Sequence, residues 1–249
     1  MLDRRTFIRP IAHRGLHNAS QGVIENTASA IAAGLAKGYG IECDLQAADD
    51  GTPVVFHDET VDRLMAGTGR VDTMSVSTLQ RLAYTATRDR IISFGECLEL
   101  AAGRGPLIVE VKSEWTPARA GFLEKIAALS KAYKGPLALM SFDPVVMARL
   151  ADLAPSVPRG IVAGLFEGQG WWLDRLGEER GRRLSHLLES GPAKVSFYSY
   201  HVKALPTPVT RYVREVQGLP LFCWTVRTAE DRARAAQWSD APTFEGFEP

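Results

Sequence analysis

Four short apolar runs carry side chains that can do chemistry. They read Ile11-Ala12-His13-Arg14-Gly15, Ile41-Glu42-Cys43-Asp44-Leu45, Val54-Val55-Phe56-His57-Asp58 and Leu107-Ile108-Val109-Glu110-Val111-Lys112. A polar group inside such a β-like run is costly to bury unless it is partnered or used. Their recurrence points to several strands delivering their ends to one place. Two histidines and three carboxylates so placed are the groups that metal-dependent phosphodiester cleavage would need.

Parity within each run sharpens this. Side chains alternate across a strand, so Glu42 and Asp44 share a face with Cys43 opposite, and Glu110 and Lys112 share a face with Val109 and Val111 opposite. Neighbouring carboxylates raise one another's pKa. A divalent cation removes that conflict, and an oxygen-only donor set favours Mg²⁺ or Ca²⁺ over zinc. The bland alternative is that Glu42 and Asp44 are strand-end charges paired with Arg or Lys.

The ordered motifs resemble those of the glycerophosphodiester phosphodiesterase family, within the phospholipase-C-like barrel phosphodiesterases. The matching residues are His13-Arg14-Gly15, Glu25-Asn26-Thr27, Glu42-Cys43-Asp44-Leu45, Asp50 through Arg63 and Gly67-Thr68-Gly69, in the family's order and spacing. Glu110-Val111-Lys112, Ser141-Phe142-Asp143-Pro144 and Trp224-Thr225-Val226 add shorter matches. The C-terminal stretch departs: a Gly-Val-Asp segment and an Asp-rich strand end are replaced by Trp238 through Phe247. That departure bears on the last strand and its loop.

The resemblance implies a glycerophosphodiester substrate cleaved to glycerol 3-phosphate and an alcohol, with a substrate hydroxyl as the first nucleophile and a cyclic phosphate on the path. Such a reaction needs a base, an acid and positive charge at the phosphorus. His13 and His57 are the expected acid–base pair, and Glu42, Asp44 and Glu110 the expected metal ligands. Arg14 suits bidentate contact with phosphate oxygens, and Lys112 adds a point charge. For Lys112, a structural pairing with Glu110 is an almost equal alternative. Trp224, on one face with Phe222, is a candidate pocket floor or a core residue. Glu25 is expected to fix its loop by accepting backbone hydrogen bonds, His17 to be a loop residue, and Trp171-Trp172 to pack or to form an apolar lip. The runner-up activities are a lysophospholipid-type phosphodiesterase and a lyase that releases a cyclic phosphate. A non-catalytic phosphodiester-binding barrel is the reading from another class, against which the complete set of histidines and carboxylates argues.

Length and charge agree with one enzyme domain spanning residues 1–249. A (β/α)8 TIM barrel takes about 250 residues, and the chain has 249. Lys plus Arg and Asp plus Glu each number 29, so no basic excess marks a nucleic-acid binder. Cys43, Cys97 and Cys223 have no disulfide or metal spacing, and Cys43 and Cys223 lie in apolar runs. No run reaches the roughly 18 apolar residues of a membrane span, and the N-terminus lacks a signal-peptide core, so a cytoplasmic protein without stable membrane insertion is expected. The oligomeric state is not legible.

Strands are expected to begin at Ile11, Gly40, Leu107, Leu137, Gly160, Lys194, Leu219 and Thr243. Helical patterns fall over Asn26 to Lys37, Phe94 to Ala102, Pro117 to Ala132, Pro144 to Leu153, Leu173 to Leu188, Pro208 to Gln217 and Ala229 to Trp238. Such alternation indicates parallel strands with crossover helices. Asn26 or Thr27 is the expected first cap, and Thr116-Pro117 and Asp143-Pro144 each read as a cap with a first-turn proline. A short insertion, Asp58 to Arg90, follows the second strand and is expected at the substrate mouth. The eighth helix is missing or reduced, which leaves a groove for the N-terminal segment or a partner chain to cover.

Overall fold

The computed structural model describes residues 1–249, the side chain of Trp171 excepted. Eight parallel strands close into a ring: β1 (Ile11–Ala12), β2 (Gly40–Ala47), β4 (Leu107–Val111), β5 (Leu137–Ser141), β6 (Arg159–Ala163), β7 (Phe197–His201), β8 (Leu221–Val226) and β9 (Ala241–Phe244). Closure comes from β1, which pairs with β2 on one side and β9 on the other. A short β3 (Pro53–Val55) runs antiparallel to β2 and extends it outward. The strands read as almost unbroken apolar runs because both of their faces are buried. Each expected strand lies within three residues of an observed one.

Helices α2 (Ala28–Ala36), α4 (Phe94–Ala101), α5 (Phe122–Ala132), α6 (Pro144–Leu153), α7 (Trp171–Ser185), α8 (Pro208–Glu215) and α9 (Ala229–Trp238) wrap the ring, and the preceding α1 (Arg4–Phe7) and α3 (Val76–Arg81) are short. Local chemistry starts several of them. Thr27, not Asn26, caps α2 through the Ala30 amide. Ser93 and Glu96 form a capping box on α4, and Asp143 caps α6 with Pro144 in its first turn. Thr116-Pro117 does not start α5. That helix begins after Gly121, in the left-handed region at φ 81°, and the Thr-Pro pair lies in the loop before it.

Alternation along the strands builds two cores. Ile41, Cys43, Leu45, Val109 and Val111 face outward to the helices. Ile11, Ile108, Ala138, Met140, Val162, Phe197, Phe222 and Ala241 fill the barrel. Leu2 and Phe7 join this inner cluster. The N-terminal segment therefore plugs the barrel floor, where Arg4 reaches the Gly218 carbonyl and Asp240. This corrects the expectation that it covers the groove left by the missing eighth helix. On that side Phe244 meets Tyr39 edge-on at 5.0 Å and Phe247 at 5.5 Å.

The insertion packs as a unit, with Val61, Met65, Val71, Leu79 and Tyr84 gathered on Phe56 and Val54. Among the described residues, no helix is long and apolar enough to cross a membrane.

Candidate active site

The carboxylates converge at the C-terminal ends of β2 and β4, as barrel sites do. Asp44 and Glu110 are direct partners in the β2–β4 register. Glu42, Asp44 and Glu110 are buried, and one oxygen from each lies within 4.8 Å of the others. Cys43 points into the outer core.

Three groups hold this cluster. Lys112 Nζ donates to Glu110 Oε1 at 2.5 Å and lies 2.8 Å from Asp44 Oδ1. Asn26 Nδ2 donates to Asp44 Oδ2 at 2.8 Å. The Arg14 amide donates to Glu42 Oε2 at 2.9 Å, with Arg14 itself at φ 54°. That left-handed turn continues through Gly15 at φ 79°, where a Cβ would meet the Ala30 carbonyl carbon at 2.7 Å. The glycine of the first motif thus answers to a close helix contact.

The Arg14 guanidinium is engaged by carboxylates: Nη1 donates to Glu25 at 2.6 Å and Nε lies 3.4 Å from Asp44. Glu25 also receives two hydrogen bonds from Arg63, whose Nε reaches Asp58. The sequence reading of Glu25 as an acceptor of backbone amides is corrected: its partners are the guanidinium groups of two long side chains, the largely buried Arg14 and the exposed Arg63.

The protonation states follow from this packing. Burial, with Asp44 and Glu110 adding repulsion, pushes the Glu42 carboxyl well above the carboxylate range. Burial pushes Asp44 upward too, but Lys112, His57 and Arg14 overcome it and hold that carboxyl below its usual value. Three carboxylates face two cations, Lys112 and Arg14, and Glu42 is the least compensated. An all-oxygen set short of positive charge fits a hard divalent cation. The family expectation of such a metal is thus matched by the donors present, Glu42, Asp44 and Glu110.

Each expected acid–base histidine has a carboxylate at its back. His13 Nδ1 lies 2.6 Å from Glu245 Oε2, and His57 Nδ1 lies 2.6 Å from Asp58 Oδ1. With the carboxylates ionised, each Nδ1–H donates and Nε2 is left for proton transfer. His13 Nε2 is 3.9 Å from Glu42 Oε2. Burial pushes the His13 pKa down, against the pull of Glu245. Contact with His13 holds Glu245 down at about 2. Arg227 donates to the same Glu245 oxygen at 2.8 Å. Sequence reasoning missed Glu245 and Arg227. Their signal was position: Glu245 follows directly on the last strand, where catalytic groups of a barrel gather.

A cavity of ≈ 540 Å³ opens beside the cluster, lined by His57, Glu110, Lys112, Phe142 and Trp224 among others. Trp224 meets Phe142 edge-on at 5.2 Å. Glu59 and Thr60 of the insertion border this cavity, so the insertion does reach the mouth. Trp172, in the first turn of α7, is buried against Phe166 and so packs rather than forming a lip; the side chain of Trp171 lies outside what the structure describes. His186 and His201 take no part in the cluster.

The family model of the glycerophosphoryl diester phosphodiesterase family matches residues 13–241. The chain belongs to this family. It is 29% identical to the glycerophosphodiester phosphodiesterase of Caldanaerobacter subterraneus, over 90% of this chain and 88% of that one. The probable glycerophosphodiester phosphodiesterase 1 of Mycobacterium tuberculosis is 26% identical, over 89% of this chain and 82% of that one. A phosphodiesterase structure from Oleispira antarctica, in complex with the product sn-glycerol-3-phosphate, superposes with a TM-score of 0.71 at 20% identity, covering 95% of this chain and 92% of that one. A Silicibacter pomeroyi structure gives 0.77 at 24% identity, over 96% of this chain and 90% of that one. Family membership makes the chain a phosphodiesterase of the hydrolase class and sets aside the non-catalytic binding barrel.

Proposed function

We propose that the protein cleaves glycerophosphodiesters to glycerol 3-phosphate and an alcohol, with His13 and His57 exchanging acid and base roles. The observation that carries this reading is the pair of carboxylate-backed histidines flanking one acidic cluster: His13 beside Glu42, and His57 on the wall of the cavity that Glu110 and Lys112 also line. Glu42, Asp44 and Glu110 would hold a divalent metal, Mg²⁺ or Ca²⁺, which supplies charge to the phosphate oxygens and acidifies a nearby hydroxyl.

The chain's own groups do the rest. One histidine takes the proton of the substrate's hydroxyl adjacent to the phosphate as that oxygen attacks phosphorus. The other gives a proton to the departing alcohol. Water then opens the cyclic phosphate with the roles reversed. Attack from within the substrate gains from proximity. Two side chains that the motifs offer as candidate nucleophiles are spoken for: the Ser141 hydroxyl donates to the Val111 carbonyl, and Cys43 faces the outer core. Arg14 and Lys112 add positive charge toward the phosphate, and Trp224 with Phe142 forms an apolar wall for glycerol carbons.

The test is a matched pair of substrates, glycerophosphocholine and its analogue lacking the 2-hydroxyl, assayed with Mg²⁺ and with Ca²⁺. Turnover of the first alone is expected, with a cyclic phosphate visible by phosphorus NMR early in the reaction. Equal turnover of both would eliminate the cyclic route in favour of direct attack by water.

A further inference from the structure

His13 has a second neighbourhood. Its Nε2 edge faces Glu42, but its Nδ1 edge faces Glu245, and His17 stands with them. One ligand atom from each of His13, His17 and Glu245 lies within 4.8 Å of the others. The first two come from the turn after β1 and the third from the residue after β9, so two rigid barrel strands set their separation. His17 Nε2 is buried and has no hydrogen-bond partner. Both recorded contacts of Glu245 fall on Oε2, which leaves Oε1 available to a cation. A groove of ≈ 680 Å³, lined by Gly15, His17, Phe244 and Glu245, connects this cluster to solvent.

We propose that His13, His17 and Glu245 form a second metal site, which takes a borderline-soft divalent cation such as Zn²⁺ and inhibits the enzyme. Two imidazoles and one carboxylate are a zinc donor set, with water in the fourth position. The Glu42, Asp44 and Glu110 oxygens are a set for harder ions. Ligands about 2.1 Å from a tetrahedral ion stand about 3.4 Å apart, so a small rotation of His17 closes the site. The ion shared with Glu245 takes the Nδ1 lone pair of His13. The proton formerly on Nδ1 moves to Nε2, with no net proton released. An imidazole with metal on one nitrogen and hydrogen on the other accepts no further proton. Inhibition thus rests on the acid–base role proposed for His13; binding does not.

Zn²⁺ binding is measured calorimetrically in excess Mg²⁺ on Asp44→Asn, which weakens the carboxylate site, and on Asp44→Asn/His17→Ala. One Zn²⁺ equivalent is expected on the first, weakened at least ~10-fold on the second. Turnover of the wild type in saturating Mg²⁺ should fall as Zn²⁺ is added. His17→Ala and His17→Gln should keep the wild-type rate and need at least ~10-fold more Zn²⁺ for the same inhibition. Equal Zn²⁺ binding with and without His17 would overturn the site. His17-dependent binding without inhibition would overturn the inhibitory role and, separately, remove His13 from the acid–base pair.

Discussion

Asn26 and Asp44 hold each other twice. The Asn26 amide group donates to Asp44 Oδ2 at 2.8 Å, and the Asp44 backbone amide donates to Asn26 Oδ1 at 3.1 Å. This fixes the Asp44 carboxylate from behind and leaves Oδ1 to Lys112. Asn26 stands at φ 58°, a left-handed conformation that asparagine accepts better than most residues. One residue type therefore meets both the backbone and the side-chain demand.

Asn26→Gly isolates the side chain, because glycine tolerates the same backbone angle. It should lower metal affinity by about 10–100-fold, as losses behind a metal ligand do. Stability should fall by about 1–3 kcal/mol from the unsatisfied Asp44 groups. Urea unfolding and Mg²⁺ titration measure the two effects separately. A variant with wild-type affinity would show that Asn26 serves the loop alone.

The carboxylates behind the histidines should matter for turnover more than for binding. His13→Ala and His57→Ala are each expected to cost ~10²-fold or more in kcat. Glu245→Gln and Asp58→Asn should cost less, about 10-fold or more, with KM little changed. Removing the Glu245 charge takes away the interaction that opposes burial at His13. The His13 pKa then falls further, so its limb of the kcat profile moves to lower pH in Glu245→Gln. A limb that stays in place would deny His13 that part of the profile.

Metal binding should be coupled to pH through Glu42. Its folded pKa lies above the unfolded carboxylate value, chiefly because it is buried. Without metal, the stability from the neutral form is lost as pH rises from about 4.5 through that folded value. Asp44 titrates below its usual range, so its contribution is constant across neutrality and adds no pH dependence there. The rise in Tm caused by Mg²⁺ should therefore be larger at pH 8 than at pH 5.5, by about 2–4 °C for each kcal/mol involved. Glu42→Gln should abolish the difference between the two pH values. A metal-induced shift independent of pH would mean that Glu42 is not the proton competitor.

The ring was legible because parallel strands buried on both faces leave long apolar signatures, and caps such as Asp143-Pro144 mark their helices. Glu42, Asp44 and Glu110 were legible from parity within single strands. What escaped was non-local. Glu25 reads as a turn acid until Arg14 arrives from the turn after β1 and Arg63 from the insertion. Asn26 reads as a cap because nothing in its neighbourhood announces Asp44, eighteen positions away. Glu245 lies in a stretch without the family's usual letters, and its partner His13 is 232 positions distant. Thr116-Pro117 misled for the converse reason: a local cap signal sits in the loop, and α5 begins only after Gly121.

The seam of the ring runs between β1 and β9, which carry the two ends of the chain. His13 stands on one lip of that seam and Glu245 on the other. During synthesis, the three proposed acidic ligands and the His57–Asp58 pair are all present once β4 has been made. Only the final nine residues bring in β9 and the partner of His13. On the proposed mechanism, a chain made only through β4 holds the proposed ion ligands while His13, one of the two proposed proton carriers, lacks its anchor, so competence for turnover would arrive with the last stitch of the barrel.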